Sequence, residues 1–293
     1  MEYIRDIYKD EIRNGFLVTN SRKKIWQKEI EILLEIDRIC KKYDIRYYAD
    51  SGTLLGAVRH GGFVPWDDDI DIMMLRPDYE KFKVVAKEEL SKEYILQNVY
   101  NDVFVSSFSK VMNIKTSAIE DWNDNFRRQG LFVDIFPYDI ANNGTNRVSN
   151  IMKIAEELWM LIIIPHYVLE AISSGYVTTI SRNIINQLLN MSYKERMQEY
   201  EKFMLRHFSD SEYVHNHVWC LNTYCPPINR KVFSDFVLMK FEGIVVPVPK
   251  DYDEVLKSYY GNWHEIVKGG SMHEGITMSA DISYKEMLQK VAN

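Results

Sequence analysis

An acidic run offers the clearest chemistry in the sequence. Four carboxylates fall within five positions, at Asp67, Asp68, Asp69 and Asp71. A solvated loop is the usual interpretation of such a run, because like charges repel unless water or cations neutralise them. This run passes directly into aliphatic residues 72–74, so part of it must approach the core. If Asp69 and Asp71 lie on a strand, both carboxylates share one face, and two such oxygen ligands suit Mg²⁺ or Mn²⁺.

A glycine and a small hydroxyl residue, Gly52 and Thr53, precede the acids. They allow close backbone approach and supply a hydrogen bond for a phosphate. Hard cations beside a phosphate neutralise its oxygens and stabilise the nucleophile and leaving group of an in-line displacement. A glycine and hydroxyl residue followed about sixteen residues later by acid–aliphatic–acid is characteristic of the nucleotidyltransferase fold. The pattern therefore predicts metal-dependent phosphoryl chemistry.

The elements that position these residues follow from hydrophobic periodicity. Apolar residues at helical spacing from Ile25 to Tyr43 predict an amphipathic helix, with Ser21 as its cap. Strands are predicted over 45–50, 69–75, 94–99, 104–112, 131–136 and 241–248. A helical turn is predicted over 54–59, and helices over 78–90, 252–260 and much of 145–205. Strands followed by helices predict an α+β fold, a nucleotidyltransferase-like mixed β-sheet core flanked by helices, with a helical insertion or subdomain.

Three regions are expected. Residues 1–144 form the catalytic core with its N-terminal helices. Residues 145–235 form a mainly helical insertion, which is the candidate acceptor-binding region, and residues 236–293 form a segment that returns to the core. The most apolar stretch, Leu158 to Leu169, is too short to span a bilayer and is interrupted by Pro165. It fits a buried helix or, alternatively, contact with a membrane surface or a lipid-linked substrate.

Composition excludes several classes of function. The 293 residues carry a net charge of −6 and a pI near 5.7, which argues against non-specific nucleic-acid binding. Three cysteines indicate no disulfide framework. Residues 1–14 are densely charged and lack the apolar core of a secretory signal. The expected location is the cytoplasm, with the inner face of the plasma membrane as a narrower alternative.

A long motif carries a resemblance to a known family. The stretch from Asp50 to Ile72, DSGTLLGAVRHGGFVPWDDDIDI, resembles the signature of the LicD family. Members of that family resemble nucleotidyltransferases and transfer phosphocholine from CDP-choline to teichoic-acid or lipopolysaccharide sugars. More distant fukutin-type relatives use other CDP-alcohols, such as CDP-ribitol. Shorter matches follow in the expected order at 132–137, 240–243, 246–247 and 251–261.

The resemblance assigns the metal ligands. It places the metal pair at Asp69 and Asp71, and the fold analogy makes Asp134 the third ligand. Asp134 could also accept the proton of an attacking sugar hydroxyl; an N-cap or an ion pair with an arginine is the alternative. One of Asp67 and Asp68 could hold a second ion or fix the loop, or both could be solvated.

Substrate contacts are assigned on chemistry. Gly52 and Thr53 are expected to approach phosphate, and Arg59 and Lys110 to bind the donor phosphates, although a surface salt bridge would explain either charge. Four aromatic residues could hold a quaternary ammonium group by cation–π contact, or simply pack in the core: Tyr47, Tyr48, Trp66 and Trp122. His60 is placed only by the motif.

The reaction that the resemblance implies is attack of a sugar hydroxyl on the phosphorus next to the alcohol of a CDP-alcohol. CDP-choline is favoured as donor, Mg²⁺ or Mn²⁺ is the expected cofactor and CMP is the leaving group. The acceptor is expected to be a glycan or lipid-linked glycan. Two alternatives stay open: nucleotidyl transfer with release of pyrophosphate, and a non-catalytic metal- or nucleotide-binding scaffold. A zinc site at His215, His217, Cys220 and Cys225 fits the usual ligand spacing poorly.

Overall fold

A mixed seven-stranded β-sheet flanked by helices forms the centre of the molecule and confirms the predicted α+β class. The computed structural model describes residues 9–102, 106–121, 124, 127–217, 227–269 and 275–291. The strands are β1 (Glu11–Arg13), β2 (Phe16–Val18), β3 (Tyr48–Ala49), β4 (Ile70–Leu75), β5 (Tyr94–Gln97), β6 (Ser109–Asn113), β7 (Ser117–Ile119), β8 (Phe132–Ile140), β9 (Tyr213–Asn216), β10 (Ile228–Asn229), β11 (Phe236–Phe241), β12 (Ile244–Pro249) and β13 (Thr277–Ser279). The helices are α1 (Asn20–Tyr43), α2 (Ser51–His60), α3 (Arg76–Glu89), α4 (Asn146–Ile163), α5 (Pro165–Ser173), α6 (Arg182–Leu189), α7 (Tyr193–His207), α8 (Tyr252–Tyr260) and α9 (Tyr284–Val291).

Strand β8 organises the sheet. It runs parallel to β4, while β6 pairs with its first half and β9 with its second half, both antiparallel. Strand β8 extends beyond the predicted 131–136 because this second half is paired as well. Pro137, which has no N–H to donate, falls between the β6 pairing, which reaches Ile135, and the β9 pairing, which begins at Tyr138. Strands β3, β5 and β10 extend the sheet beyond β4, β6 and β9.

Helix α1 has the predicted amphipathic stripe and packs against β6 and β8. Its cap differs from the prediction. The chain is extended at Thr19, whose hydroxyl accepts a hydrogen bond from the Arg22 N–H at 3.2 Å, so Ser21 already lies inside the first turn. The helix ends where Asp44 adopts a left-handed conformation, with φ of 51°.

The segment between β3 and β4 folds back on itself. Strand β3 is shorter than predicted, and a full helix, α2, replaces the predicted single turn. Gly56 allows the return of the chain, since a Cβ there would lie 2.3 Å from the Gly62 carbonyl oxygen. The acidic run therefore comes to lie beside the beginning of α2.

The prediction of a single strand over 241–248 was wrong. Strands β11 and β12 form a hairpin across this region, with Phe241 paired to Ile244. Glu242 and Gly243 at its turn both have positive φ, 44° and 86°. Two such residues between paired strands make a tight turn that matches strand twist. Apolar residues on both sides of the turn made the two strands look like one continuous strand in the sequence.

Helices α4 to α7 occupy 146–207, and α4 packs against α7 through Trp159 and Tyr200, whose ring centroids lie 5.5 Å apart. The apolar stretch Leu158–Leu169 is divided between α4 and α5, with Leu161 buried and Tyr167 exposed. Across the described ranges, we find no helix with the length and apolar character that a bilayer crossing requires. Strands β9 and β10 then bring the chain back to the sheet.

A buried ion cluster ties α3 to the sheet. Arg76 is fully buried, and its Nε donates to Asp139 Oδ1 at 2.7 Å. Its Nη1 also donates to Glu80 at 2.9 Å. Lys83 extends the cluster to Glu201 on α7 at 2.6 Å. Buried charges persist only with such partners, so this cluster holds the helical region against the core.

Candidate active site

Three adjacent strands bring the predicted site residues together. Asp71 on β4 is the parallel partner of Asp134 on β8, and Lys110 on β6 is the antiparallel partner of Asp134. Directly opposed residues in a sheet project from the same face. Asp69 precedes β4 by one residue and stands two positions from Asp71, so strand alternation directs it to the same side.

The electrostatics of this group fit a cation. Burial and the charges of Asp69 and Asp134 raise the pKa of Asp71 well above its ordinary value. Burial, opposed in part by a hydrogen bond from Asp67, raises the pKa of Asp69 to about 6. All the donors are carboxylate oxygens, which are the ligands that hard divalent ions prefer. The donor types of Asp69, Asp71 and Asp134 thus suit Mg²⁺ or Mn²⁺, and metal binding by these three residues stays a prediction.

Lys110 is a buried cation within the group. Its side chain is 5% exposed, and its Nζ lies 3.4 Å from Asp134 Oδ1 and 3.5 Å from Glu120 Oε1. The Nζ also lies 3.4 Å from the centroid of the Phe132 ring. The surface salt bridge considered as an alternative is therefore wrong, because the pair is buried. One lysine leaves several carboxylates to be balanced by other charge.

The loop that carries Asp67 and Asp68 is fixed by both neighbouring helices. The Asp67 carbonyl oxygen accepts hydrogen bonds from Arg22 Nη1 at 2.7 Å and Trp26 Nε1 at 3.1 Å. A Cβ at Gly52 would lie 2.1 Å from Asp67 Oδ2, so only glycine leaves room for this carboxylate. One oxygen from each of Asp67, Asp68 and Asp69 lies within 4.8 Å of the others. Asp67 and Asp68 are partly buried, so neither side chain is fully exposed to solvent.

A further carboxylate, Glu29 on α1, joins the acidic loop and was missed by the sequence reasoning. It is 2% exposed, and its Oε2 has no hydrogen-bond partner among the described residues. Burial and the charges of Asp69, Asp68 and Asp67 raise its pKa well above the ordinary value. The available signal was an acid on the apolar stripe of a predicted amphipathic helix, three residues after Trp26 and four before Leu33.

The beginning of α2 holds the backbone of Asp71. The Thr53 hydroxyl accepts a hydrogen bond from the Asp71 N–H at 2.9 Å, and the Asp50 N–H donates to the Asp71 carbonyl oxygen at 3.0 Å. Burial raises the pKa of the Asp50 carboxyl to about 6, and this group accepts from the Tyr138 hydroxyl at 2.8 Å. The Tyr138 hydroxyl also contacts that of Tyr259 on α8. The C-terminal segment is thereby tied to the acidic site.

A cavity of about 440 Å³ opens beside Asp67 of the acidic loop. The residues that line it include Gly52, Arg59, Trp66, Asp67, Tyr260 and Trp263. Arg59 Nη1 donates to the carbonyl oxygens of Trp263 at 2.9 Å and Glu265 at 3.0 Å, and so holds the loop that forms the far wall. Tyr260 and Trp263 were missed because they lie almost 200 residues from the motif and join it only through the fold.

Several other sequence candidates lie elsewhere. The Tyr47 hydroxyl donates to Asp37 Oδ1 at 3.1 Å and that of Tyr48 to the Phe233 carbonyl oxygen, so both belong to the core and not to the site. Trp122 lies outside the described residues. The His60 ring accepts a hydrogen bond from Arg59 Nε at 3.0 Å.

Of the four residues considered as zinc ligands, the structure describes the two histidines. His215 Nδ1 donates to the Asn216 carbonyl oxygen at 3.0 Å, and His217 Nε2 donates to that of Ile140 at 2.8 Å. Their rings pack with centroids 3.9 Å apart, and burial lowers the pKa of His215 to about 3 and that of His217 to about 4. Cys220 and Cys225 lie outside the described residues.

Comparisons with known proteins relate the chain to one family. Residues 44–160 match the nucleotidyltransferase domain of the LicD/FKTN/FKRP family. The chain is 25% identical over 248 residues to the lipopolysaccharide cholinephosphotransferase LicD of Haemophilus influenzae, covering 81% of this chain and 89% of that protein. It is 44% identical over 98 residues to the uncharacterized protein RP689 of Rickettsia prowazekii (30% and 37% of the two chains). It is also 54% identical over 28 residues to the human ribitol 5-phosphate transferase FKRP (10% and 6%).

The family match describes a nucleotidyltransferase domain, and in this chain Asp71 and Asp134 lie on adjacent central strands of a mixed sheet. The matches cover both the acidic motif and β8. The LicD family match covers residues 44–160, and by its similarity to the Haemophilus influenzae protein over most of its length the chain is a LicD-type phosphotransferase. At the level of the family, this activity is the transfer of a phospho-alcohol to a glycan.

Proposed function

We propose that this chain transfers a phospho-alcohol, phosphocholine from CDP-choline in the first instance, to a sugar hydroxyl of a cell-surface glycan precursor such as a teichoic acid or lipopolysaccharide. CMP is released, and Mg²⁺ or Mn²⁺ is required. The observation that carries the proposal is the pairing of Asp71 with Asp134, with Asp69 two positions from Asp71 and a cavity beside Asp67 of the same loop. The name of the Haemophilus influenzae relative supports phosphocholine as the group transferred.

The protein contributes mainly positioning and charge. Asp69, Asp71 and Asp134 would hold the metal, which when bound neutralises the phosphate oxygens of the donor. Thr53 and Asp50 hold the backbone of Asp71 in place before substrate arrives. Such preorganised groups lower the barrier because they need no rearrangement during reaction.

The bond changes follow from this arrangement. The sugar oxygen forms a bond to the phosphorus next to the alcohol, and the bond from that phosphorus to the bridging oxygen of CMP breaks. Asp134 accepts the proton of the sugar hydroxyl. Lys110, 3.4 Å from Asp134, adds positive charge on the side of the donor phosphates.

The cavity favours a cationic alcohol. Its wall includes the rings of Trp66, Tyr260 and Trp263, together with the acids Asp67 and Glu265. Aromatic faces and nearby carboxylates stabilise a quaternary ammonium group by cation–π and charge attraction. An uncharged alcohol such as ribitol would gain neither contribution. The lining therefore supports choline over ribitol as the alcohol carried.

We propose that the acceptor binds at the helical region, α4 to α7. The protein itself is proposed to work in the cytoplasm, at the inner face of the plasma membrane. Exposed apolar side chains on α4 and α5, namely Ile163, Tyr167 and Leu169, support contact with a lipid surface or a lipid-linked glycan. Flotation of the protein with lipid vesicles tests this placement. Equal recovery of the wild type and a Tyr167→Ser/Leu169→Ser variant would oppose it.

The central experiment is incubation with Mg²⁺, a glycan acceptor and a panel of CDP-alcohols and nucleoside triphosphates. We expect CMP release with CDP-choline. Pyrophosphate release from a triphosphate would instead identify a nucleotidyltransferase. Binding without turnover of any donor would identify a scaffold protein.

A further inference from the structure

We propose a second divalent-cation site, formed by Asp67, Asp68 and Asp69 and completed by Glu29 of α1. It adjoins the group Asp69, Asp71 and Asp134 and shares Asp69 with it. Its ligand is a hard divalent cation, Mg²⁺ or Mn²⁺. The inference rests on the metal-dependent transfer proposed above and adds to it a ligand from outside the motif.

Helix α1 presents one face to the acidic loop. Arg22, Trp26 and Glu29 are spaced four and three residues apart, which places them on the same side of a helix. The first two donate hydrogen bonds to the Asp67 carbonyl oxygen, at 2.7 and 3.1 Å. Glu29 is thus the third side chain of a face whose other two polar groups already contact the loop.

The burial of the Glu29 carboxylate indicates that it binds a cation. It is 2% exposed, and within the described ranges its Oε2 has no hydrogen-bond partner. The charged groups that act on it are Asp69, Asp68 and Asp67 together with Arg22. An acid buried without a partner beside three other acids costs free energy. A cation held among these carboxylates would offset that cost.

The geometry of the loop agrees with this role. Asp67, Asp68 and Asp69 each place an oxygen within 4.8 Å of the others, a spacing that one ion can bridge. Gly52 leaves the room that the Asp67 carboxylate occupies. The contacts of the Asp67 carbonyl oxygen hold the loop backbone in place, and Asp67 Oδ1 also accepts a hydrogen bond from the Asp68 N–H at 3.2 Å.

Manganese binding without donor or acceptor tests the site directly. We measure the number of bound Mn²⁺ ions and their affinities by electron paramagnetic resonance and calorimetry. The wild type should bind two ions per chain, and Glu29→Gln should lose one of them or bind it roughly tenfold more weakly or worse. Asp71→Asn should instead weaken the other ion. Glu31→Gln, on the same helix but paired with Lys28 at the surface, is the matched control and should bind two.

Thermal unfolding shows whether the Glu29→Gln variant is folded. Without metal, Glu29→Gln should unfold at a temperature equal to or above that of the wild type, since it removes a buried charge from an acidic cluster. With saturating Mn²⁺ the wild type should show the larger increase in Tm. If Glu29→Gln does not fold, the binding measurement is made on Asp68→Asn instead. Asp68 lies in the partly exposed loop, and this variant should lose the same ion.

The outcomes separate this site from the proposed function. A wild type that binds one ion, or a folded Glu29→Gln variant that keeps both with unchanged affinity, overturns the inference even if CMP is released from CDP-choline. Two ions in the wild type and one in Glu29→Gln support the inference even if no CDP-alcohol is turned over.

Discussion

Asp71 on β4 and Asp134 on β8 are direct partners in the parallel register of the two central strands. This pairing sets two carboxylates side by side although 63 positions separate them in the chain. Like charges so placed are unfavourable in the absence of a cation. The sheet thus holds these carboxylates together at a cost in stability, and the metal proposed to bind there would relieve that cost.

Replacing Asp71 should separate activity from stability. Asp71→Asn keeps the shape of the side chain and removes one charge from a repelling group. We expect CMP release to fall by about 10³-fold or more, since the metal loses a ligand, while Tm in metal-free buffer is unchanged or higher. Chromatographic measurement of CMP and thermal unfolding check the two parts. Asp281→Asn, at an exposed position, is the control; near wild-type turnover of Asp71→Asn would contradict the assignment.

The aromatic wall of the cavity should select the alcohol. Trp66→Leu should raise KM for CDP-choline by about 5- to 30-fold, the equivalent of 1 to 2 kcal/mol of cation–π contact. KM for CDP-ribitol should change little. Trp66→Phe, which keeps an aromatic face, should lie in between. An equal loss with both donors would show that Trp66 only packs the cavity.

The pair of buried histidines should make stability sensitive to mild acid. Burial lowers the pKa of His217 to about 4, whereas the unfolded chain has its ordinary value of about 6.5. The unfolded state therefore binds a proton first, and the contribution of His217 is present above pH 6.5 and is lost as pH falls towards 4.

Between pH 7 and pH 5, the wild type should lose about 2 kcal/mol more unfolding free energy than His217→Gln. Urea unfolding at the two pH values measures this difference. Comparison with the variant is needed because buried acids such as Asp50 act in the opposite direction. Parallel pH profiles for the two proteins would refute the buried neutral histidine.

The fully buried Arg76 should be essential to the fold. Arg76→Met leaves Asp139 buried without its bidentate partner. We expect a loss of about 3 to 5 kcal/mol in unfolding free energy. Adding Asp139→Leu should recover much of that loss, because the unpaired charge is removed. A double variant no more stable than Arg76→Met would mean that packing, and not charge, explains the effect.

Local pattern was sufficient to predict part of the fold. Helix α1 and strand β4 carry their periodicity within a few turns or alternations, and both were found. The acids of the motif were found for the same reason. The β11–β12 hairpin was missed since its turn, at Glu242 and Gly243, lacks the usual turn composition.

Long-range pairing supplied the rest of the site. The opposition of Lys110 and Asp134 depends on the register of two strands, which no local spacing encodes. Trp263 reaches the cavity because α8, which precedes it, packs against α2 and β10. Glu29 was passed over because an acid in a helix is usually solvated, and only its burial reveals its relation to the acidic loop.

The most direct test of the account is the identity of the leaving group. Wild-type protein with Mg²⁺, CDP-choline and a glycan acceptor should release CMP in equal amount to a product heavier by one phosphocholine, as measured by mass spectrometry. Chelation of the metal should stop both. Release of pyrophosphate from a nucleoside triphosphate, or full CMP release after the metal is removed, would contradict the account.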